Sequence, residues 1–306
     1  MRYKTKAAFL SVLVVVLAIT YILILVFDRD KRRSDVFAWL DPGLVFMADR
    51  IEISGPAGRV ALNRRNNVWF FDTGNMELPV RQNRVSDLFS LLTRRAIYPV
   101  RAASPAAIER LGLTEETAHR IRIRGGVGLP LLDLLIGTED VLGREVYLRL
   151  SGRNQIHSGE GDFTFFTSLS PAAWYDLTLL QPFSIEMVQQ ADIVFPGEDA
   201  FSLRRSGAGW IMLGDESLLL DTIRVEAWLR LLIEAQGEDF VQETPESILG
   251  SINLRLGDGT TRFLELGRIY PQERWLITVA GSPFVYSLSD WSFNRIFREI
   301  AHFTRN

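Results

Sequence analysis

The sequence of 306 residues contains no cysteine. That excludes disulfides, thiolate metal sites and a cysteine nucleophile together. Histidine is scarce as well: only His119, His157 and His302 occur. No H-x-x-x-H or histidine/carboxylate spacing joins them, so no zinc site is expected. An excess of positive charge is also missing. Lys and Arg total 34 against 37 Asp and Glu, a net charge of −3. Nucleic-acid partners leave a basic footprint, so none is expected. Neither a G-x-S-x-G elbow nor a P-loop is present. Gly125-Gly126-Val127-Gly128 lies between runs that read as strands and opens no helix, whereas pyrophosphate binding needs a helix N-terminus.

One further absence is local. Ala7 to Phe27 contains no charge, glycine or proline. As a helix this run extends about 31 Å, enough for a hydrocarbon core of roughly 30 Å. It lacks the polar stripe of a buried core helix. Arg2, Lys4 and Lys6 precede it, and no A-x-A-like cleavage site follows. An uncleaved signal anchor is expected, with a cleaved signal peptide as the alternative. Arg29, Lys31, Arg32 and Arg33 on the far side nearly balance the basic residues before the run, so the positive-inside rule does not decide orientation. A short cytoplasmic tail with a translocated soluble region is the default. Lys31 to Arg33 read either as a contact for anionic head groups or as a solvated linker.

The rest of the chain reads as one unit written twice. Ile51-Glu52-Ile53 corresponds to Ala191-Asp192-Ile193, and Trp69 to Trp210. Val85, Leu88, Phe89 and Leu92 form an apolar helical stripe, matched by Val225, Trp228, Leu229 and Leu232. Ser104-Pro105 through Leu111-Gly112 carries the start and stop signals of a short helix, and Thr244-Pro245 through Leu249-Gly250 carries the same signals. The second copy lacks a counterpart of Thr114 to Ala118. Leu135-Ile136-Gly137 matches Glu265-Leu266-Gly267, and Ile156-His157-Ser158 matches Val285-Tyr286-Ser287. Asp162-Phe163 and Asp290-Trp291 open closing helices, the last expected over about Asp290 to His302. Gly125 to Gly128 and Gly257-Asp258-Gly259 read as hairpin turns. Ser170 to Phe183, rich in apolar residues, is the expected joint and reads as packed.

The expected fold class is therefore α+β: an N-terminal transmembrane helix followed by two tandem repeats of antiparallel sheet with packed helices. Residues 1–6 form the tail, 7–27 the anchor and 28–43 a juxtamembrane linker. Residues 44–175 form the first repeat and 176–306 the second.

The residues from Ile51 through Trp69, the helix Val85 to Leu92, Leu111-Gly112-Leu113, Leu135-Ile136-Gly137 and Val146-Tyr147-Leu148 resemble the domain of unknown function 4340 family. The second half resembles it again through Trp210, Arg224 to Leu232, Leu266-Gly267 and Val285-Tyr286, with Leu249-Gly250-Ser251 departing from the Leu-Gly-Leu step. The resemblance implies a bacterial envelope protein whose domains lie outside the cytoplasmic membrane. It also implies an auxiliary role in ABC-type transport systems of the gliding-motility type. No activity, cofactor or catalytic residue comes with it.

Two features of the sequence bear on chemistry. Asp72-Thr73-Gly74 resembles one half of an aspartic protease site, which needs a second carboxylate. The corresponding Leu213-Gly214-Asp215 does not repeat it, so a turn is the simpler reading. Paired acids such as Glu115-Glu116 and Glu238-Asp239 read as solvated loop charge. Of Trp39, Trp69, Trp174, Trp210, Trp228, Trp275 and Trp291, four or five fall at repeated core positions and read as packing, and Trp39, which follows the anchor, reads as a residue of the membrane interface. The expectation is a non-catalytic, membrane-anchored extracytoplasmic accessory or scaffold protein with no catalytic, cofactor or metal residues. Its partners would be the lipid bilayer and an ABC-transporter permease or other envelope proteins. The alternatives are a glycan- or peptide-binding envelope protein and an Asp72-dependent hydrolase.

Overall fold

The computed structural model describes residues 16, 17, 19–21, 36–74, 76–207, 209–215, 217–269 and 274–305. The anchor expected over 7–27 falls almost wholly outside these residues, as does the tail 1–6. Among the described residues no helix is long and apolar enough to cross a membrane. The expected α+β class with an N-terminal transmembrane helix is therefore corrected to a mainly β fold, in which strand exceeds helix and three sheets dominate. The reason is that the apolar residues of the sheets alternate along strands, while among the described residues each unit supplies one helix longer than two turns.

The chain divides into two compact units, Met1–Tyr175 and Asp176–Asn306. Among the described residues of the first, the elements are β1 (Val36–Phe37), β2 (Ala48–Gly55), β3 (Gly58–Arg65), β4 (Val68–Asp72), β5 (Glu77–Pro79), α1 (Gln82–Thr93), β6 (Ala96–Ile97), β7 (Val100–Ala102), α2 (Pro105–Arg110), β8 (His119–Gly125), β9 (Leu129–Glu139), β10 (Glu145–Leu150) and β11 (Ile156–Glu160). Nine of the strands form an antiparallel sheet in the order β5-β4-β3-β2-β8-β9-β10-β11-β7. Register follows from the period of two. Leu62, Ile51, Ile123 and Leu132 lie opposite one another across four strands, as do Val60, Ile53, Ile121 and Leu134. All eight are buried. Each such side chain contributes about 1.5–3 kcal/mol on leaving water, and a slip of one residue would turn both rows outward.

Helix α1 buries Val85, Leu88 and Leu92 and sets Phe89 5.8 Å from Trp69 of β4. Strand β9 is buried on both faces, since Leu134 and Leu135 are consecutive and fully covered. Leu135 belongs to a second, smaller core with Ala107, Leu113, Ala118 and Ile156. Half of the expected linker 28–43 is in fact part of this unit. β1 pairs with β6, Leu40 N donates to Leu92 O, and Trp39 is buried between Phe37 and Tyr98 at 4.9 and 5.1 Å. Trp39 is thus a core residue of the fold and not a free interfacial one.

The second unit contains β12 (Val188–Val194), β13 (Phe201–Ser206), β14 (Gly209–Met212), α3 (Thr222–Ile233), β15 (Asp239–Val241), β16 (Ser247–Leu256), β17 (Thr261–Ile269), β18 (Arg274–Val279), β19 (Val285–Leu288) and α4 (Asp290–Ile296). Its sheet runs β14-β13-β12-β16-β17-β18-β19-β15. This order repeats that of the first unit from β4 to β7. Helix α3 is capped by Asp221, which accepts from Ile223 N and Arg224 N. It buries Val225, Trp228, Leu229 and Leu232. Trp228 Nε1 donates to Ile296 O at 2.8 Å, tying α3 to the closing helix.

α2 starts at Ser104, whose hydroxyl accepts from Ala107 N, and stops before Gly112 at φ +65°. The helix expected at Thr244-Pro245 to Gly250 does not form. Ile248, Leu249 and Gly250 belong to β16, which the chain enters directly because the residues equivalent to Thr114 to Ala118 are missing. The expected closing helix also ends early: α4 stops at Ile296, Phe297 is extended, and a separate 3-10 turn covers Ile300–His302. The closing segment of the first unit is a 3-10 helix, Gly161–Phe166. Within Ser170 to Phe183, Trp174 and Tyr175 at the end of the first unit and Leu177, Leu179 and Leu180 at the start of the second are buried.

The repeated glycine at Gly137 and Gly267 has a steric cause. A Cβ at Gly137 would overlap Leu111 O and lie 2.8 Å from Leu113 Cγ. One at Gly267 would overlap Pro245 and lie 2.7 Å from Ser247 O. Gly137→Ala and Gly267→Ala are each expected to lower stability by about 1–3 kcal/mol. Gly126→Ala, where a Cβ meets nothing within 4 Å, should stay within about 0.5 kcal/mol. Urea titration of the three variants checks this, and equal midpoints for all three would refute it.

Candidate interaction surfaces

The residues singled out for chemistry are not brought together. Asp72 ends β4 and closes a turn: its Oδ2 accepts from Asn63 Nδ2 and its Oδ1 from Gly74 N, both at 2.8 Å. Thr73 Oγ1 donates to Met76 O and accepts from Met76 N. Asp215 forms a similar turn with Ser217. Both carboxylates are occupied by local backbone, as Asx turns are. His157 packs among aromatic rings, 5.3 Å from Phe37 and 5.4 Å from Trp39, with Nδ1 2.7 Å from Tyr98 O. His119 opens β8 with Nδ1 buried against Gly55. His302 lies in the last 3-10 turn, where burial first, then Arg298 and Arg224, hold its pKa below the ordinary value. Among the described residues no group of His, Asp and Glu is arranged to hold a metal ion.

Two polar arrangements recur or contrast between the units. Arg64 lies 5.9 Å from the Trp69 ring centroid and donates to Phe46 O and Ala48 O. Arg205 lies 4.8 Å from the Trp210 centroid and donates to Val188 O and Ile185 O. Each arginine is the cross-strand partner of its tryptophan. It clamps the 3-10 turn that leads into the first long strand of its unit, with a cation–π contact worth about 0.5–1 kcal/mol. This pair was missed in the sequence, although the arginine stands at the same offset before each tryptophan.

The outer face of the first sheet carries a charge ladder instead. Arg120 Nε and Nη2 bind both oxygens of Asp133 at 2.5 and 2.6 Å, and Nη1 binds Glu115. Arg122 bridges Glu52 and Asp133 at 3.3 Å. The nearly buried Arg149 gives two hydrogen bonds to Leu113 O and one to Arg153 O. The corresponding region of the second unit has no such ladder: Asp192 accepts from Gln190 and Ser202, and Glu265 accepts from Thr278.

Each unit also opens one groove between its long helix and its closing segment. In the first, Asp87, Ser90, Leu91 and Arg94 of the α1 side face Asp162, Phe165 and Phe166 across about 460 Å³. In the second, Leu231, Glu234 and Gln236 face Trp291, Arg295 and Ile296 across about 270 Å³. Leu91 and Leu231 hold the same helical position, as do Arg94 and Glu234. Phe165 is 62 % exposed and Trp291 66 % exposed. Arg84 covers Phe165 at 4.2 Å, and Arg295 covers Trp291 at 4.2 Å. The aromatic of each groove is thus held in place by an arginine, at the surface, beside an apolar floor.

A long antiparallel sheet and an aromatic-walled groove in each unit define a class of β-sheet protein whose distinctive surfaces are grooves. Residues 69–254 match the family described as domain of unknown function (DUF4340), and the chain belongs to that family. The match is one span from β4 into β16, so it crosses from the first unit into the second. It does not give one match for each unit, as the repeat pattern had implied. No curated protein and no solved structure matches the chain.

The ladder has a pH signature. Burial raises the Asp133 pKa, but hydrogen bonds and charge from Arg120 and Arg122 outweigh it and leave the carboxyl below its ordinary range. A depressed folded pKa stabilises above the unfolded value of about 3.9 and loses that contribution as pH falls through the folded value. Asp133→Asn is expected to cost about 1–2 kcal/mol at pH 7. The difference from the parent should shrink at an acid pH, where the Asp133 carboxyl is protonated in the folded state. Denaturation at both pH values measures it, and a gap independent of pH would contradict the role of the ladder.

Proposed function

We propose that this chain is a non-catalytic accessory or scaffold protein at the extracytoplasmic side of the bacterial cytoplasmic membrane, serving an ABC-type transport system by contact with its permease. The observation that carries the reading is the aromatic-walled groove repeated in both units, each with a large exposed ring fixed by arginine. Such rings present apolar area at little entropic cost, which is what protein-binding surfaces use. The polar clusters, by contrast, are spent on one another and on local backbone. The tie to ABC-type transport is what the likeness of Leu135-Ile136-Gly137, Val146-Tyr147-Leu148 and their second-half equivalents to the family implies.

A second reading, a glycan- or peptide-binding envelope protein, is favoured by the exposure of Trp291 beside Arg295. Pull-down on isolated cell wall with the parent and with Trp291→Ala separates the two. Loss of wall binding in the variant would support the ligand-binding reading.

For the accessory role, the tagged full-length protein is isolated from detergent-solubilised membranes. Copurification of a permease and its ATPase is the expected result. Recovery of the chain alone, while the permease and ATPase remain together, would reject the proposal. In intact spheroplasts, added protease should cut the chain. Protection equal to that of a cytoplasmic control would place it on the wrong side for this role.

A further inference from the structure

The two grooves occupy the same place in their units but differ in charge. In the first, Arg94 is held by Glu160 at 2.5 Å. Arg84 is held too: it stacks on Phe165 at 4.2 Å and Trp174 at 4.7 Å, and donates to Phe165 O at 2.6 Å. Both nearby cations are therefore committed. Asp87 and Asp162 are exposed on opposite walls, and neither has a hydrogen bond or ion pair among the described residues. Between them lie Leu91 and Phe166, both buried, and the exposed ring of Phe165. The second groove differs: its rim combines Glu234 with Arg295, so it has no single sign.

An apolar floor of about 460 Å³ between two unopposed carboxylates is complementary to one kind of occupant. The volume falls within the range of ligand sites, roughly 300–1,000 Å³. Helix-in-groove recognition uses apolar anchors at i, i+3, i+4 and i+7 with charges flanking them. Anionic partners are disfavoured, because like charges would meet at the rim. We propose that the first-unit groove docks a basic amphipathic segment of a protein partner. Its apolar side chains would fill the space over Leu91 and Phe166, and its Lys or Arg residues would pair with Asp87 and Asp162. This deepens the accessory reading and rests on the chain being an interaction module.

The test uses the full-length protein and a fluorescent synthetic peptide with leucines at helical spacing and lysines on the other face. Its Leu/Glu counterpart serves as the control. The Leu/Lys peptide should bind, the Leu/Glu peptide should not, and salt should weaken binding. Asp87→Asn with Asp162→Asn should reduce affinity about tenfold at low salt. Phe165→Ala should weaken binding at all salt concentrations. Trp291→Ala in the second groove should leave it unchanged. Both amide substitutions lie on the surface, so matching thermal melts will show that folding is intact.

Equal binding of the two peptides, indifference to the double variant, or no binding at all would overturn the proposal. So would a loss caused by Trp291→Ala with the double variant intact. A negative peptide result leaves copurification with a permease untouched, and failed copurification leaves peptide binding untouched. The two ideas therefore fail separately.

Discussion

The fold depends on cross-strand register in the middle of each sheet. In the first unit, Leu62, Ile51, Ile123 and Leu132 form one unbroken apolar row, and Val60, Ile53, Ile121 and Leu134 form the next. In the second, Leu203, Ala191 and Leu254 form such a row, as do Phe201, Ile193, Ile252 and Leu264. These rows fix which residues face the long helix and which face outward. Everything on the outer face then inherits its position. Glu52, Arg122 and Asp133 meet because they are the residues between buried neighbours, not because a charge network organised the sheet. Burial of four or five such side chains exceeds what the ladder can contribute, since partly exposed ion pairs are worth about 0–1 kcal/mol each.

Two constraints follow from the same register. The strand equivalent to β9 in each unit is crossed closely by a preceding segment, Leu111 to Leu113 in the first and Pro245 to Ser247 in the second, and only glycine leaves room there, at Gly137 and Gly267. The Arg64–Trp69 and Arg205–Trp210 pairs then hold the 3-10 turn that begins each sheet. Skeleton features of this kind recur, whereas the outer faces do not. Arg122 of one unit becomes Asn253 of the other, and the cross-strand partner Asp133 becomes Phe263. The first unit thus spends its outer face on ion pairs, whereas the second sets Asp192 and Glu265 among neutral hydrogen-bond donors beside the apolar Phe263.

Much of this was readable in the sequence. The helical stripes of Val85 to Leu92 and Val225 to Leu232 are local and periodic, so they declare themselves. So does the short helix from Ser104 to Leu111, with its cap and its glycine stop. The strand β16 was hidden because Thr244-Pro245 and Leu249-Gly250 carry the same local signals. Those signals do not register that Gly250 lies against Val194 O, where a Cβ would be 2.7 Å away. The Arg clamps were hidden for a related reason: an arginine reads as solvated until the carbonyls it caps are known. The anchor expected over 7–27 rests on its length, its unbroken apolar character and the basic residues before it, and it lies almost wholly outside the described residues, which contain no helix long and apolar enough to cross a membrane. Of the candidate surface, Trp291 was visible as a tryptophan. Its exposure, and the equivalence of its groove with that around Phe165, required the fold.

The contrast between the two grooves bears on selectivity. Both offer a fixed aromatic and a leucine from the long helix, so their apolar contribution to binding is similar in kind. What separates them is the sign of the rim: the first groove carries Asp87 and Asp162 with Arg94 held by Glu160, whereas the second carries Glu234 and Arg295. Rim charges alter encounter rate and discrimination more than affinity. Discrimination is itself a difference between two binding free energies. A shared shape with divergent rims therefore lets one scaffold hold two surfaces of unlike preference without changing its core, because the rows that build the core contribute no atom to either rim.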